Sequence, residues 1–100
     1  AIEYYEAALV ADPRNRQAYV GLALAARADG LPGRAIRYFR EALELDPNDT
    51  NALELQGMAL VERGAKARAE DNLTRLKTLC ADPCPAADRL AAAIAGKDGR

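Results

Sequence analysis

The sequence predicts an all-α fold, a short stack of helix–turn–helix units. Three observations predict it. Ala, Leu, Glu and Arg dominate, and all four favour helix. Pro and Gly recur at regular places (Pro13, Gly30, Pro32, Gly33, Pro47, Gly64, Pro83 and Pro85), leaving segments of ordinary helical length between them. The chain also repeats itself: AIEYYEAALVADPRN at residues 1–15 returns as AIRYFREALELDPND at residues 35–49, a period of 34. Pro13 maps to Pro47, Gly30 to Gly64, Ala18 to Ala52 and Ala35 to Ala69. Val, Ile and Thr are scattered and period-two alternation is absent, so strands are not expected.

The elements follow in order. The first helix covers about residues 1–11 and stops at Asp12-Pro13. The second covers about 16–28, with Gly30 as a left-handed cap. The third, about 32–45, starts at Pro32, where a missing N–H costs nothing. Ile36, Phe39 and Leu43 fall on one face of it, beside Ala35 and Ala42. The fourth, about 50–62, takes Asp49 or Thr50 as N-cap and closes at Gly64. Leu53, Met58, Leu60 and Val61 form its apolar set around Gly57. The fifth covers about 66–79, and the sixth about 86–95, opened by Pro85. The tail 97–100 is polar. No helix is long enough to stand alone in water, so the units must stack.

Composition narrows the function. One hundred residues make one domain at most. Half are apolar, but alanine supplies much of that half, so the core needs close helix–helix approach. Fourteen Lys and Arg against 15 Asp and Glu leave a net charge of −1, which argues against nucleic acid as a partner. Uncharged runs fall short of a bilayer span, so no membrane insertion is expected. His, Ser and Trp are absent, so neither Ser–His or Cys–His catalysis nor a His-based metal site can be assembled. No enzyme and no cofactor are expected. The chain lacks an initiating Met and reads as a piece of a longer protein.

The period and its residues resemble the tetratricopeptide repeat (TPR) family, of bacterial type. Residues 16–49 match a full repeat through Tyr19, Leu22, Ala23, Ala35, Phe39, Ala42 and Pro47. Residues 1–15 match the second half of a preceding repeat through Ala1, Tyr5, Ala8 and Pro13. Residues 50–83 match a degenerate repeat: Leu53, Gly57 and Ala69 fit, while Gln56 stands for Leu, Leu73 for the aromatic, Leu76 for an Ala, and the Pro arrives late as Pro83. The resemblance implies an α-solenoid. Ala23, Ala35, Ala42 and Gly57 would sit where backbones approach closely. Tyr5, Tyr19 and Phe39 would fill the crossings. Residues 85–96 read as a capping helix, with Leu90, Ala91 and Ile94 inward and Asp88, Arg89 and Lys97 outward. With no cap upstream, the surface around Ile2, Tyr5 and Leu9 is a candidate for self-association into a homo-oligomer.

The resemblance also implies a protein- or peptide-binding groove lined by the first helix of each repeat. Carried over, its residues are Gln17, Val20, Leu24 and Arg27, then Asn51, Glu54, Met58 and Val61. TPR modules that clamp the C-terminal carboxylate of chaperones use Lys and Asn where this chain has Val20 and Leu24, then Glu54 and Met58. That clamp is not present in these repeats.

Three residue sets carry competing readings. Cys80 and Cys84 form a disulfide pinning the turn into the capping helix, or two thiols, or a metal or redox site with an incomplete ligand shell. A disulfide fits an oxidising compartment, and the tail resembles the C-terminal caps of some bacterial TPR proteins exported to the periplasm; free thiols fit the cytoplasm. Glu3, Glu6, Glu41, Glu44 and Asp46 make an acid–base site or, as the spacing favours, solvated helix faces with pairs such as Arg37–Glu41 and Arg40–Glu44. The tyrosines make a stacking platform or a core. Tyr5 and Tyr19 fall at packing places, whereas Tyr4 and Tyr38 fall beside them and are expected to be partly exposed.

Overall fold

The computed structural model describes residues 2–96. Six α-helices follow in order: α1 (Ile2–Ala11), α2 (Arg16–Ala28), α3 (Pro32–Leu45), α4 (Thr50–Arg63), α5 (Lys66–Leu79) and α6 (Pro85–Ile94). No strand occurs among the described residues. The polar tail expected at 97–100, with Lys97, lies outside them, as does Ala1.

Local chemistry sets the boundaries. Asn15 opens α2 and Asp49 opens α4. Each side-chain oxygen accepts the backbone N–H three residues on, of Ala18 and Ala52, at 3.1 Å. Pro32 and Pro85 occupy the first turns of α3 and α6. α4 runs to Arg63, just past the expected end, because Gly64 itself supplies the reversal. Its φ of +86° is open to glycine at no steric cost, and its N–H reaches back to the Leu60 and Val61 carbonyls. α6 begins at Pro85 and ends at Ile94, one residue earlier than expected at each end, because Pro85 is already helical. Between α5 and α6 the chain turns through Cys80–Cys84, whose sulfurs are bonded and whose Cα atoms lie 5.8 Å apart. The Asp82–Pro83 peptide within that turn is cis.

Amphipathic faces drive the packing. α2 lies on α3 and α4 on α5, while the α3–α4 contact joins the two hairpins. α6 packs on both α4 and α5. The result measures 39 × 28 × 19 Å. Phe39, Leu60, Leu76 and Leu90 are the largest fully enclosed side chains. Each contributes about 1.5–3 kcal/mol of burial. Small residues hold the close approaches, as the alanine-rich composition requires: Ala23, Ala35 and Ala42 are fully buried. At Gly57 an added Cβ would fall 2.6 Å from the Leu90 side chain, so α6 rides directly on the α4 backbone there. Leu90 and Ile94 face inward, with Ala91 half-buried.

Not every aromatic filler is enclosed. Phe39 is fully buried, but Tyr5 and Tyr19 are only half-buried. The reason is α1: it lies on α2 and has no buried residue of its own. Tyr5 packs its ring against Gly21 of α2, where any side chain would collide with it.

Gln56, which stands at a leucine place, is buried in a polar seam. Its Nε2 donates to the Ile36 carbonyl at 3.2 Å, and Asn72 Nδ2 donates to its Oε1 at 2.9 Å and to the Leu53 carbonyl at 3.1 Å. The seam ties α3, α4 and α5 together. A buried amide costs stability unless its hydrogen bonds are met, and here they are.

Candidate functional site

The face expected to bind a partner runs along α2 and α4, and the structure divides its eight candidate residues into groups. Leu24 and Arg27 come together on a shallow concavity of about 310 Å³, with Ala28 and Glu62. Leu24 is 43% exposed, a large apolar side chain left to solvent. Arg27 is held in place: its Nη2 lies 2.7 Å from Glu62 Oε2, and its Nε also donates to that carboxylate. Gln17 is exposed and lies apart, in a small cavity with Tyr4, Tyr5 and Asn15. Asn51 is exposed at the first turn of α4. Val20, Met58 and Val61 are half-buried against the core, so only part of each side chain faces outward.

Glu54 is placed differently from the groove expectation. It is 7% exposed and faces α6, not open solvent. Arg89 is exposed, as expected, and from the surface donates two hydrogen bonds to it, Nε to Oε2 at 2.6 Å and Nη2 to Oε1 at 2.9 Å. The bidentate fork matches guanidinium to carboxylate. The Glu54 hydrogen bond and charge raise the Arg89 pKa above the ordinary arginine value. A raised folded-state pKa adds stability that is fully present below the unfolded value and lost as pH rises through the folded one. For arginine that window lies in strong alkali, so this bridge is constant across the neutral range.

Three ion pairs link residues about one repeat apart in sequence: Arg16–Asp49, Arg27–Glu62 and Glu54–Arg89, with separations of 33, 35 and 35. They strap α2 to the start and body of α4, and α4 to α6. The expected pairs within one helix, Arg37–Glu41 and Arg40–Glu44, do not form among the described residues. An exposed pair along one helix gains little over water. Pairs across helices are held in place by packing. Glu62 and Ala28 were not among the candidates. The available signal was opposite charge at one-period spacing, Arg27 with Glu62.

At the α1 end, Tyr5 and Leu9 are half-buried. Ile2 remains 41% exposed, and Tyr4 and Val10 are exposed further, at 73% and 86%. Tyr38, expected to be partly exposed, is half-buried against the core. No group of three or more His, Cys, Asp and Glu side chains that could hold a metal gathers among the described residues. No helix among them is long and apolar enough to cross a membrane.

The tetratricopeptide repeat family model matches the chain over residues 1–50 and 22–82. No curated protein matches the chain. Repeats of the matched family generally mediate protein–protein interaction and are typically non-catalytic.

Proposed function

Since the chain belongs to the tetratricopeptide repeat family, we propose that it is a non-catalytic binding module that holds a peptide or helix of a partner protein on the α2–α4 face. Leu24 is the observation that carries this reading. A leucine left 43% exposed, beside a guanidinium fixed by Glu62, pairs an apolar anchor with a preset polar one. Groove recognition of a helix or strand uses that combination. Gln17 and Asn51 extend the face as exposed hydrogen-bonding groups. The α6 helix and Arg89 occupy the Glu54 end, so the ligand lies toward α2. In this reading the repeats divide as residues 1–15, 16–49 and 50–83, with 85–96 as the cap.

The test is capture of proteins from the source cells by wild type and by Leu24→Glu, quantified by mass spectrometry. Because Leu24 is exposed, the variant keeps its helical circular dichroism. A partner captured only by wild type, and then bound by the purified chain in calorimetry, supports the reading. Identical capture lists remove the α2–α4 face as the site.

A second reading is self-association through α1, favoured by the exposure of Ile2, Tyr4 and Val10. It predicts a concentration-dependent mass in sedimentation that Val10→Glu abolishes. A single mass at every concentration rejects it.

A further inference from the structure

A concavity of about 480 Å³ lies away from the α2–α4 face, at the turn ends of the two hairpins. Five arginines line it: Arg34, Arg37 and Arg40 from α3, Arg63 from the end of α4, and Arg68 from α5. No acidic side chain lines it. All five are exposed, and none joins an ion pair among the described residues. More than a third of the 14 basic residues of a chain with net charge −1 therefore converge on one concavity without a counter-ion from the protein.

The backbone adds to the same field. α2 and α4 are capped by the side chains of Asn15 and Asp49, but α3 and α5 have no side-chain cap and no acid in the first turn. Both uncapped ends border the concavity, through Leu31–Gly33 and through Ala65. Helix N-termini carry partial positive charge and unpaired N–H groups, which favour an anion. Gly33 makes the space: a Cβ there would lie 2.7 Å from Arg63 Nη1, so the guanidinium rests directly over the first turn of α3. Arg34 and Arg68 are one repeat period apart, so the guanidinium row follows the stack.

Like charges that share one concavity repel, and a bound anion relieves the repulsion. We propose that this concavity is a second binding site, which takes a short acidic peptide segment of a protein partner. Guanidinium forks accept carboxylate and phosphate groups alike, so runs of Asp and Glu and phosphorylated residues share the chemistry. A volume of about 480 Å³ accommodates a few side chains of an extended peptide. Nucleic acid fits less well. No aromatic side chain lines the concavity for base stacking, and the remaining surface is net negative. The site shares no residue with Leu24 and its neighbours, so it stands or falls independently of the α2–α4 face.

The test is fluorescence anisotropy of the whole chain with three labelled probes: hexaglutamate, a hexapeptide of the same length containing phosphoserines, and a hexathymidylate oligonucleotide. The site predicts saturable binding of one or both peptides, weakened by salt. Comparing the two peptides tells carboxylate from phosphate. Arg37→Gln with Arg63→Gln should weaken it at least tenfold, since each lost charge-assisted contact is worth about tenfold. Arg34 is left alone because it also borders a smaller cavity holding Glu6 and Asp29. The control pair Arg14→Gln with Lys77→Gln removes the same charge elsewhere and should change binding less than twofold, as should Leu24→Glu. Circular dichroism confirms that each variant is folded. The proposal is overturned if neither peptide saturates, if the control pair loses as much as the arginine pair, or if the oligonucleotide binds as tightly as the peptides.

Discussion

The two ends of the stack are built from similar helices and finished in opposite ways. At the C-terminal end, α6 drives Leu90 onto the bare backbone of Gly57, takes Glu54 into a bidentate pair with Arg89, and is tethered by the Cys80–Cys84 bond. At the other end, α1 has no buried residue and leaves Tyr4 and Val10 in solvent. Yet α1 repeats the apolar pattern of α3, with Ile2 for Ile36, Tyr5 for Phe39, Ala8 for Ala42 and Leu9 for Leu43. The same face is core in one helix and surface in the other because α3 is flanked by α2 and α4, whereas α1 lies on α2. A repeat sequence thus encodes a sticky face. Neighbours decide whether that face becomes core.

The contrast can be broken most severely at Leu90. Leu90→Ala removes a fully buried side chain over a glycine with no atoms to collapse into the space. It should cost about 2–5 kcal/mol in urea unfolding. Gly57→Val attacks the same contact from the other side by overpacking, and should cost about 1–3 kcal/mol in the same assay. Opening the Cys80–Cys84 bond, by reduction or by replacing both with Ser, should cost about 2 kcal/mol or less, since a sequence separation of 4 closes a very short loop. Thermal melts with and without reductant measure it. The smallest effect belongs to α1: Tyr4→Ala should shift stability by no more than about 0.5 kcal/mol, because Tyr4 is already in water. A Tyr4→Ala cost as large as that of Leu90→Ala would show that the α1 end is covered in solution.

Much of this was legible in the residues. Prolines and glycines marked the helix ends to within a residue, because a first-turn Pro and a left-handed Gly have few other uses. Spacing placed Phe39 in the core and narrowed the α4 cap to Asp49 or Thr50, of which Asp49 is the cap. What the spacing could not reveal was pairing between helices. Arg89 is the solvent residue of an amphipathic helix that the spacing predicts, but its pairing with Glu54, and the burial of Glu54, depend on α6 lying across α4. Gln56 stands where the repeat pattern has a leucine. Its reason is Asn72, sixteen residues further on and on another helix. The arginine concavity was hidden for the same reason. Arg37 and Arg40 have Glu41 and Glu44 at helical pairing distance, and only three-dimensional placement shows them lining one concavity with Arg63 and Arg68.

The proposed partner lies toward α2, where Leu24 is exposed, and not where α6 fills the Glu54 end. A photo-crosslinking amino acid placed at position 24, and separately at position 75 on the exposed side of α5, tests it most directly in the source cells. The expected result is a discrete crosslinked protein from position 24 and none from position 75. Equal products from both positions, or none from position 24, would contradict it.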